Sequence, residues 1–299
     1  RHSAPLPFVV GIKNVIGQHY GGCSGGCQPF LGGLIPTATS PMTGISREPI
    51  LKMPSMRLDS QVAVISGAGR GVGRACALAL AEAGASTVLV SRTQSELDSV
   101  AETISAAGGT ASTLVCDVTD TEKVAATISA LERIDILVNV AGTNFPEPLD
   151  AVTEDHYDRT MALNVKATFM VSQAAARLMQ SGGRGGAIIN ISSQMGHVGA
   201  PNRTVYCASK HAVEGMTKAM AVELAPQKIR VNSIGPTFIL TPLTAPFFED
   251  EAFREDTLRR IPRGEVGELE DVMGAVVFLA SPAAALITGA ALLIDGGWT

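Results

Sequence analysis

Aromatic side chains are scarce, 4% of 299 residues with a single tryptophan, which argues against an aromatic-lined binding surface. Basic charge is short as well. Lys and Arg number 23 against 28 Asp and Glu, a formal charge of −5, so the electrostatic footprint that nucleic acid or an anionic membrane requires is missing. A small-molecule partner fits better. A disulfide framework is also absent: Cys23, Cys27, Cys76, Cys116 and Cys207 are odd in number and irregularly spaced, in a chain too long to need staples. That points to a reducing, cytoplasmic setting. Cys23 and Cys27 lie near His19 but lack a second pair of ligands at comparable spacing, so no metal is expected.

A membrane span is excluded on similar grounds. Residues 274–294 carry no charge over a bilayer's length, yet Ser281-Pro282 and Gly289 interrupt the run, and Asp271 and Asp295 bracket it without basic flanks. A buried helix, a turn and a buried strand account for it. Residues 1–57 contain one acidic residue, Glu48, and are rich in Gly and Pro without periodicity, so they read as a poorly ordered extension. Were they a transit segment, organellar import would follow, but glycine and proline spoil the amphipathic helix such a signal needs. The folded domain is expected over residues 58–299.

What is present is a hydrophobic content of 46%, ample for one large core. From residue 61 onward, short β-branched runs alternate with helix-length segments. The runs are 61–66, 86–91, 111–116, 135–141, 187–192, 229–234 and 290–295. Continuous apolar strands with helical crossovers predict an α/β fold: a doubly wound, seven-stranded parallel sheet with helices on both faces.

At the exit of the first run stands "VISGAGRGVGRA". Glycines at a strand-to-helix turn let backbone amides approach a pyrophosphate at the helix N-terminus. The spacing is G-x-x-x-G-x-G, through Gly67, Gly71 and Gly73, with Val72 where G-x-G-x-x-G would place its third glycine. After the second strand, an acid would bind the ribose 2′-hydroxyl of NAD. Here stand Ser91 and Arg92, with Arg70 in the glycine turn, groups suited to a 2′-phosphate. NADP(H) is therefore favoured and NAD(H) remains possible. Asp117 and Val118 follow the third strand, placed either to hold adenine or, for Asp117, to cap the next helix.

The fourth strand delivers Asn139, Ala141 and Gly142, and the fifth Ser192 and Ser193, to the carboxyl edge of the sheet, where open α/β folds bind ligands. Thirteen residues beyond Ser193 comes Tyr206, with Lys210 four further on. That spacing sets phenol and ammonium on one helix face, suited to proton transfer. A lysine cation and an oxidised nicotinamide would both lower the phenol's pKa.

These motifs, together with "NVAG", Asn164 in "MALNVKA", "GPTFILT" and the closing "DGG", resemble the classical short-chain dehydrogenases/reductases over essentially the whole folded part. The resemblance implies a single Rossmann-like domain. It makes Tyr206 the acid/base, Ser193 the hydrogen-bond donor to the substrate oxygen, and Lys210 the ribose ligand and modulator of the phenol. Asn164 would hold a water linking Lys210 to solvent, and Pro236, Ile239 and Thr241 would close over the nicotinamide. A homotetramer is implied, with residues 157–180 and 203–225 at one interface and the last strand at another. Two positions depart from the pattern, Val140 and Thr237.

Within the family, "VYCASK" and "LAPQKIRVN" are similar to the dicarbonyl/L-xylulose reductase branch, which suggests small α-dicarbonyls, ketoses or polyols. 3-Oxoacyl and gluconate-type reductases share the scaffold, and a non-catalytic nucleotide sensor on the same fold is the alternative of another class. Substrate choice should lie in "QMGHVGAPN", where His197 and Asn202 could orient hydroxyls or a second carbonyl, and in the long connection from Thr237 to Ile261, read as a mobile lid walled by Phe238, Leu243, Phe247 and Phe248.

Overall fold

The computed structural model describes residues 51–299 apart from Leu243. The Cys23–Cys27 pair, most of the expected extension and the Leu243 contribution to the lid wall fall outside the described residues. Residues 51–57 are exposed and without regular structure, and Leu58 is the first buried side chain.

Strands β1 (Val62–Ser66), β2 (Ser86–Ser91), β3 (Thr110–Val115), β4 (Ile136–Asn139), β5 (Gly186–Ile191), β6 (Ile229–Pro236) and β7 (Ala291–Ile294) form one sheet in the order β3-β2-β1-β4-β5-β6-β7. Every pairing is parallel. Helices α1 (Gly71–Glu82), α2 (Gln94–Ala106) and α8 (Leu269–Ala280) pack on one face. Helices α3 (Thr121–Ser129), α5 (Thr168–Gly182) and α6 (Thr204–Leu224) pack on the other. Strand alternation explains the two cores, since Ala63 and Ile65 enter the first while Val64 enters the second, and Ile136 and Val138 are likewise divided from Leu137. The edge strands differ from expectation: β3 and β7 are only partly buried, because each has a neighbour on one side alone.

The strand order reverses between β1 and β4, which opens a crevice at their carboxyl ends, the usual ligand position in such sheets. Two features shape it further. The chain after β4 passes through α4 (Glu154–Met161) and then a π-helical turn, Ala162–Ala167, before α5. After β6, the connection is folded rather than a loose loop. It contains a 3₁₀ turn, Ala245–Glu249, and helix α7 (Glu251–Arg260), whose Asp250 cap accepts from the amides of Ala252 and Phe253. Phe238, Phe248 and Phe253 pack edge to face with centroids 5.5–5.7 Å apart, and Trp298 adds a fourth ring at 6.2 Å from Phe238. The expected apolar wall thus spends much of its surface on itself.

The uncharged stretch 274–294 resolves into the end of α8, a 3₁₀ turn at Pro282–Ala284 capped by Ser281, and β7. No helix among the described residues is long and apolar enough to cross a membrane.

Candidate active site

The glycine turn is built for close approach. Gly67 has φ of 70°, a left-handed conformation, and an added Cβ would come 2.9 Å from the Ala141 amide nitrogen. At Gly73 an added Cβ would collide with the Gly67 carbonyl oxygen. The turn runs straight into α1, whose cap residue Arg70 makes no side-chain capping bond and whose first turn holds no acid. Uncapped amides, a positive helix end and flanking arginines together favour an anion. The cradle therefore fits a pyrophosphate, with Gly67, Arg70, Gly71, Val72 and Gly73 around it. Thr241 reaches over from the far side, its Cγ2 3.7 Å from the Cβ position of Gly71. Ile239, 4% exposed, is fixed by a bridge to Gly267, and Pro236 ends β6 beneath it.

At the end of β2, Ser91 and Arg92 flank the turn, with Arg92 largely exposed and 3.9 Å from Asp117. Asp117 does not cap α3; Asp120 does, accepting from the Lys123 amide. Asp117 instead accepts from the amide and hydroxyl of Thr119. Burial alone would raise its pKa, but the Thr119 bonds and the Arg92 charge outweigh burial and hold it below the ordinary value. Val118 is buried beside it. Glu96, which no spacing in the sequence marks, brings its carboxylate to 2.7 Å from the Cβ position of Gly69, a position also 3.3 Å from Ser91 Oγ. The ribose end of the crevice therefore carries both signs of charge.

The Asn139 side chain is engaged within the fold, at the carboxyl end of β4. It donates to Ser172 Oγ and Asn190 Oδ1, both at 2.9 Å, which commits its amide to joining β4, β5 and α5. Its neighbours Ala141 and Gly142 do border the crevice: Ala141 packs on Gly67, and the Cβ position of Gly142 is 3.8 Å from Lys210 Nζ.

At the carboxyl end of β5, Ser193 Oγ donates to Gln194 Oε1 at 2.7 Å and accepts from the Met195 amide. Gln194 in turn donates to Thr237 Oγ1 at 3.2 Å. This gives the unusual Thr237 a role, tying the lid's root to the serine turn. Gln194 opens the stretch expected to set substrate choice, but its bond to Ser193 was not foreseen from the sequence. Asn164 lies in the π-helical turn, where the extra residue per turn re-aims its side chain. It accepts from the Thr143 amide and donates to Thr143 O and Ser209 Oγ at 2.8, 2.9 and 3.0 Å.

Tyr206 and Lys210 share a face of α6, as the spacing predicts, and Lys210 Nζ lies 5.6 Å from the Tyr206 ring centroid. The ammonium donates to Ile191 O at 2.9 Å rather than to the phenol. Burial pulls the Lys210 pKa down to about 8, opposed by the charge of Glu214. Burial likewise raises the phenol's pKa, and it outweighs the opposing influences of Ser193 hydrogen bonding and the Arg203 charge. Lowering was expected from Lys210 together with oxidised nicotinamide; in the protein itself burial sets the sign, and Arg203 is the cation whose charge bears on the phenol.

Of the expected substrate contacts, His197 has its Nε2 3.5 Å from Glu214 Oε1. Glu214 is 4% exposed and also accepts from Ser233 Oγ at 2.7 Å. Asn202 holds a left-handed turn with φ of 58°, and its carbonyl accepts from the Glu147 amide. Both residues stand on the loop that feeds α6.

Comparison with known proteins follows this geometry closely. The family model described as enoyl-(acyl carrier protein) reductase matches residues 67–299. The chain is 38% identical to L-xylulose reductase of Bos taurus over 243 residues, 81% of this chain and 98% of that protein. It is 39% identical to gluconate 5-dehydrogenase of Gluconobacter oxydans (strain 621H) over 241 residues, covering 79% and 94%. The crystal structure of a gluconate 5-dehydrogenase from Burkholderia cenocepacia J2315, in complex with NADP and tartrate, superposes with a TM-score of 0.79 at 36% identity, covering 82% of this chain and 98% of that one.

Proposed function

The chain belongs to the short-chain dehydrogenase/reductase family, and on that premise we propose that it transfers hydride between NADP(H) and a small polar carbonyl or secondary alcohol, with Tyr206 as acid/base. The observation that carries this reading is the convergence of Ser193, Tyr206, Lys210 and Asn164 beside the glycine cradle at the β1/β4 switch point. Relatives named as an L-xylulose reductase and a gluconate 5-dehydrogenase support oxidoreduction of CH–OH/C=O groups, and a neighbour solved with NADP supports the choice of cofactor. Arg70 and Arg92 would hold a 2′-phosphate, and the α1 N-terminus the pyrophosphate.

When bound, the nicotinamide supplies the hydride for reduction and takes it back in oxidation. The residues of this chain then manage the oxygen. In reduction, Tyr206 releases its phenolic proton to the substrate oxygen as the C–H bond forms at carbon; in oxidation it receives that proton. Ser193 donates a hydrogen bond to the same oxygen, opposing the build-up of negative charge. Lys210 holds the ribose and, when protonated, favours phenolate. Asn164 fixes the loop at Thr143 and the Ser209 side of α6, so that proton resupply through Lys210 keeps its geometry. α-Dicarbonyls, ketoses and polyols fit this site, and sugar acids are the second reading, favoured by the gluconate 5-dehydrogenase relatives. A homotetramer in a cytoplasmic setting completes the proposal.

The decisive experiment is Tyr206→Phe. The expected outcome is a loss of kcat of about 10²-fold or more, with NADPH binding retained by fluorescence titration. Unchanged turnover would remove Tyr206 as the acid/base, and a wild-type protein that binds NADPH without turning over any carbonyl would be assigned to nucleotide sensing instead.

A further inference from the structure

Among the described residues, Arg203 is a buried cation with no side-chain hydrogen bond. It is 8% exposed, and its Nη1 is sealed from solvent with no acceptor among the described residues. Arg230 shows what a satisfied counterpart looks like: it too is drawn below its ordinary pKa by burial, but it donates to the carbonyls of Leu279, Ala280 and Ser281 at the end of α8. Arg203 has no such set. A guanidinium taken out of water and left unpaired is costly, and folds retain one only where something else rewards it.

Its position compounds the cost. Arg203 is the N-cap of α6, the positive end of a 21-residue helix, where a cation is disfavoured. No side chain caps that end, and its first turn contains no acid. A guanidinium and a row of uncapped amides therefore stand together, three residues before Tyr206, and the charge of Arg203 is felt at the phenol. A second orphan belongs to the same region. The Asn144 Oδ1 atom is buried without a partner, on the loop that the Glu147 amide ties to Asn202 O, next to Arg203.

We propose that Arg203 and the α6 N-terminus form the subsite for a substrate carboxylate, making this enzyme selective for carbonyl-bearing hydroxy acids over neutral ketoses. The planar fork of the guanidinium matches a carboxylate at two points, and helix amides complete its solvation. The acceptor oxygen of Asn144 suits a hydroxyl of the same molecule. The inference rests on Tyr206 being the acid/base, because it fixes the distance between the reacting carbonyl and the anionic end.

The test compares 5-ketogluconate with L-sorbose, which carries a hydroxymethyl in place of the carboxylate, by NADPH oxidation. Turnover of either substrate addresses the Tyr206 reading; their ratio addresses Arg203. Wild type should give the higher kcat/KM for 5-ketogluconate. Arg203→Leu should lower that ratio by about tenfold to a hundredfold, mainly through KM, with Arg203→Lys in between because a point charge replaces the fork. A wild-type ratio at or below one overturns the proposal, and so does an equal loss on both substrates, which would mean a structural role or an effect on the phenol alone. Dissociation of the oligomer with the ratio unchanged would assign the guanidinium to a subunit contact instead. If the variants do not fold, the wild-type enzyme still decides: tartrate should inhibit competitively against the ketone far better than threitol, its uncharged counterpart, and equal inhibition overturns the proposal.

Discussion

At the residue scale, helix α6 shows burial and spacing acting in opposite directions. The four-residue interval from Tyr206 to Lys210 places both on one face, and each then meets an environment that disfavours its charged form. Lys210 has consequences for stability. Its pKa falls from 10.5 to about 8 on folding, so below pH about 8 both states hold the proton and the full penalty applies. Between about 8 and 10.5 the unfolded chain binds more protons, and the stability contributed by this position rises with pH. Lys210→Met should therefore be more stable than wild type at pH 7, and the gap should shrink on the order of 3 kcal/mol by pH 10.5, as read from urea denaturation. A gap that stays constant with pH would contradict the burial of the ammonium. Glu214, one turn further along, moderates the effect and was legible only as another i, i+4 residue; its pairing with His197 and Ser233 needed the loop before α6 and strand β6 to arrive from elsewhere in the chain.

At the element scale, the strand-to-helix turn at Gly67–Gly73 was read from the glycine spacing, because a pyrophosphate cradle demands backbone without side chains. The structure adds which glycine matters most. Gly73 sits inside the turn against Gly67 O, so Gly73→Ala has no room to relax without opening the turn. The expected result is loss of NADPH binding by calorimetry together with a lowered Tm. Binding that survives the substitution would mean that the cradle is not the pyrophosphate site. The π-helical turn around Asn164 was not foreseen, since one extra residue per turn leaves no signature in "MALNVKA". The lid differed for a related reason: Phe238 and Phe248 were visible as an apolar wall, but their packing on Phe253 arises only when α7 folds back on the end of β6.

At the scale of the whole molecule, exposed apolar side chains mark the faces expected to meet other copies. Tyr157, Phe169 and Val222 are 48%, 40% and 77% exposed on α4, α5 and α6, and Leu286, before β7, is 97% exposed. Such residues belong in an interface more readily than in water. Val222→Glu and Leu286→Glu, made singly, should each reduce the mass in light scattering from a tetramer toward a dimer while the monomer fold persists by circular dichroism. A wild-type monomer would remove the tetramer from the proposal.

The sequence by itself determined the seven-stranded doubly wound sheet, the glycine turn after β1 and the shared helix face of Tyr206 and Lys210, because local periodicity and fixed spacings encode strands, helix faces and turns. Tertiary structure alone decided the rest. That Asn139 ties β4 to β5 and α5, that Glu96 approaches the glycine turn, that burial raises the pKa of Tyr206, and that Arg203 Nη1 finds no acceptor among the described residues all depend on segments distant in sequence meeting in space. Burial and pairing are properties of such meetings, and no local pattern of residues records them.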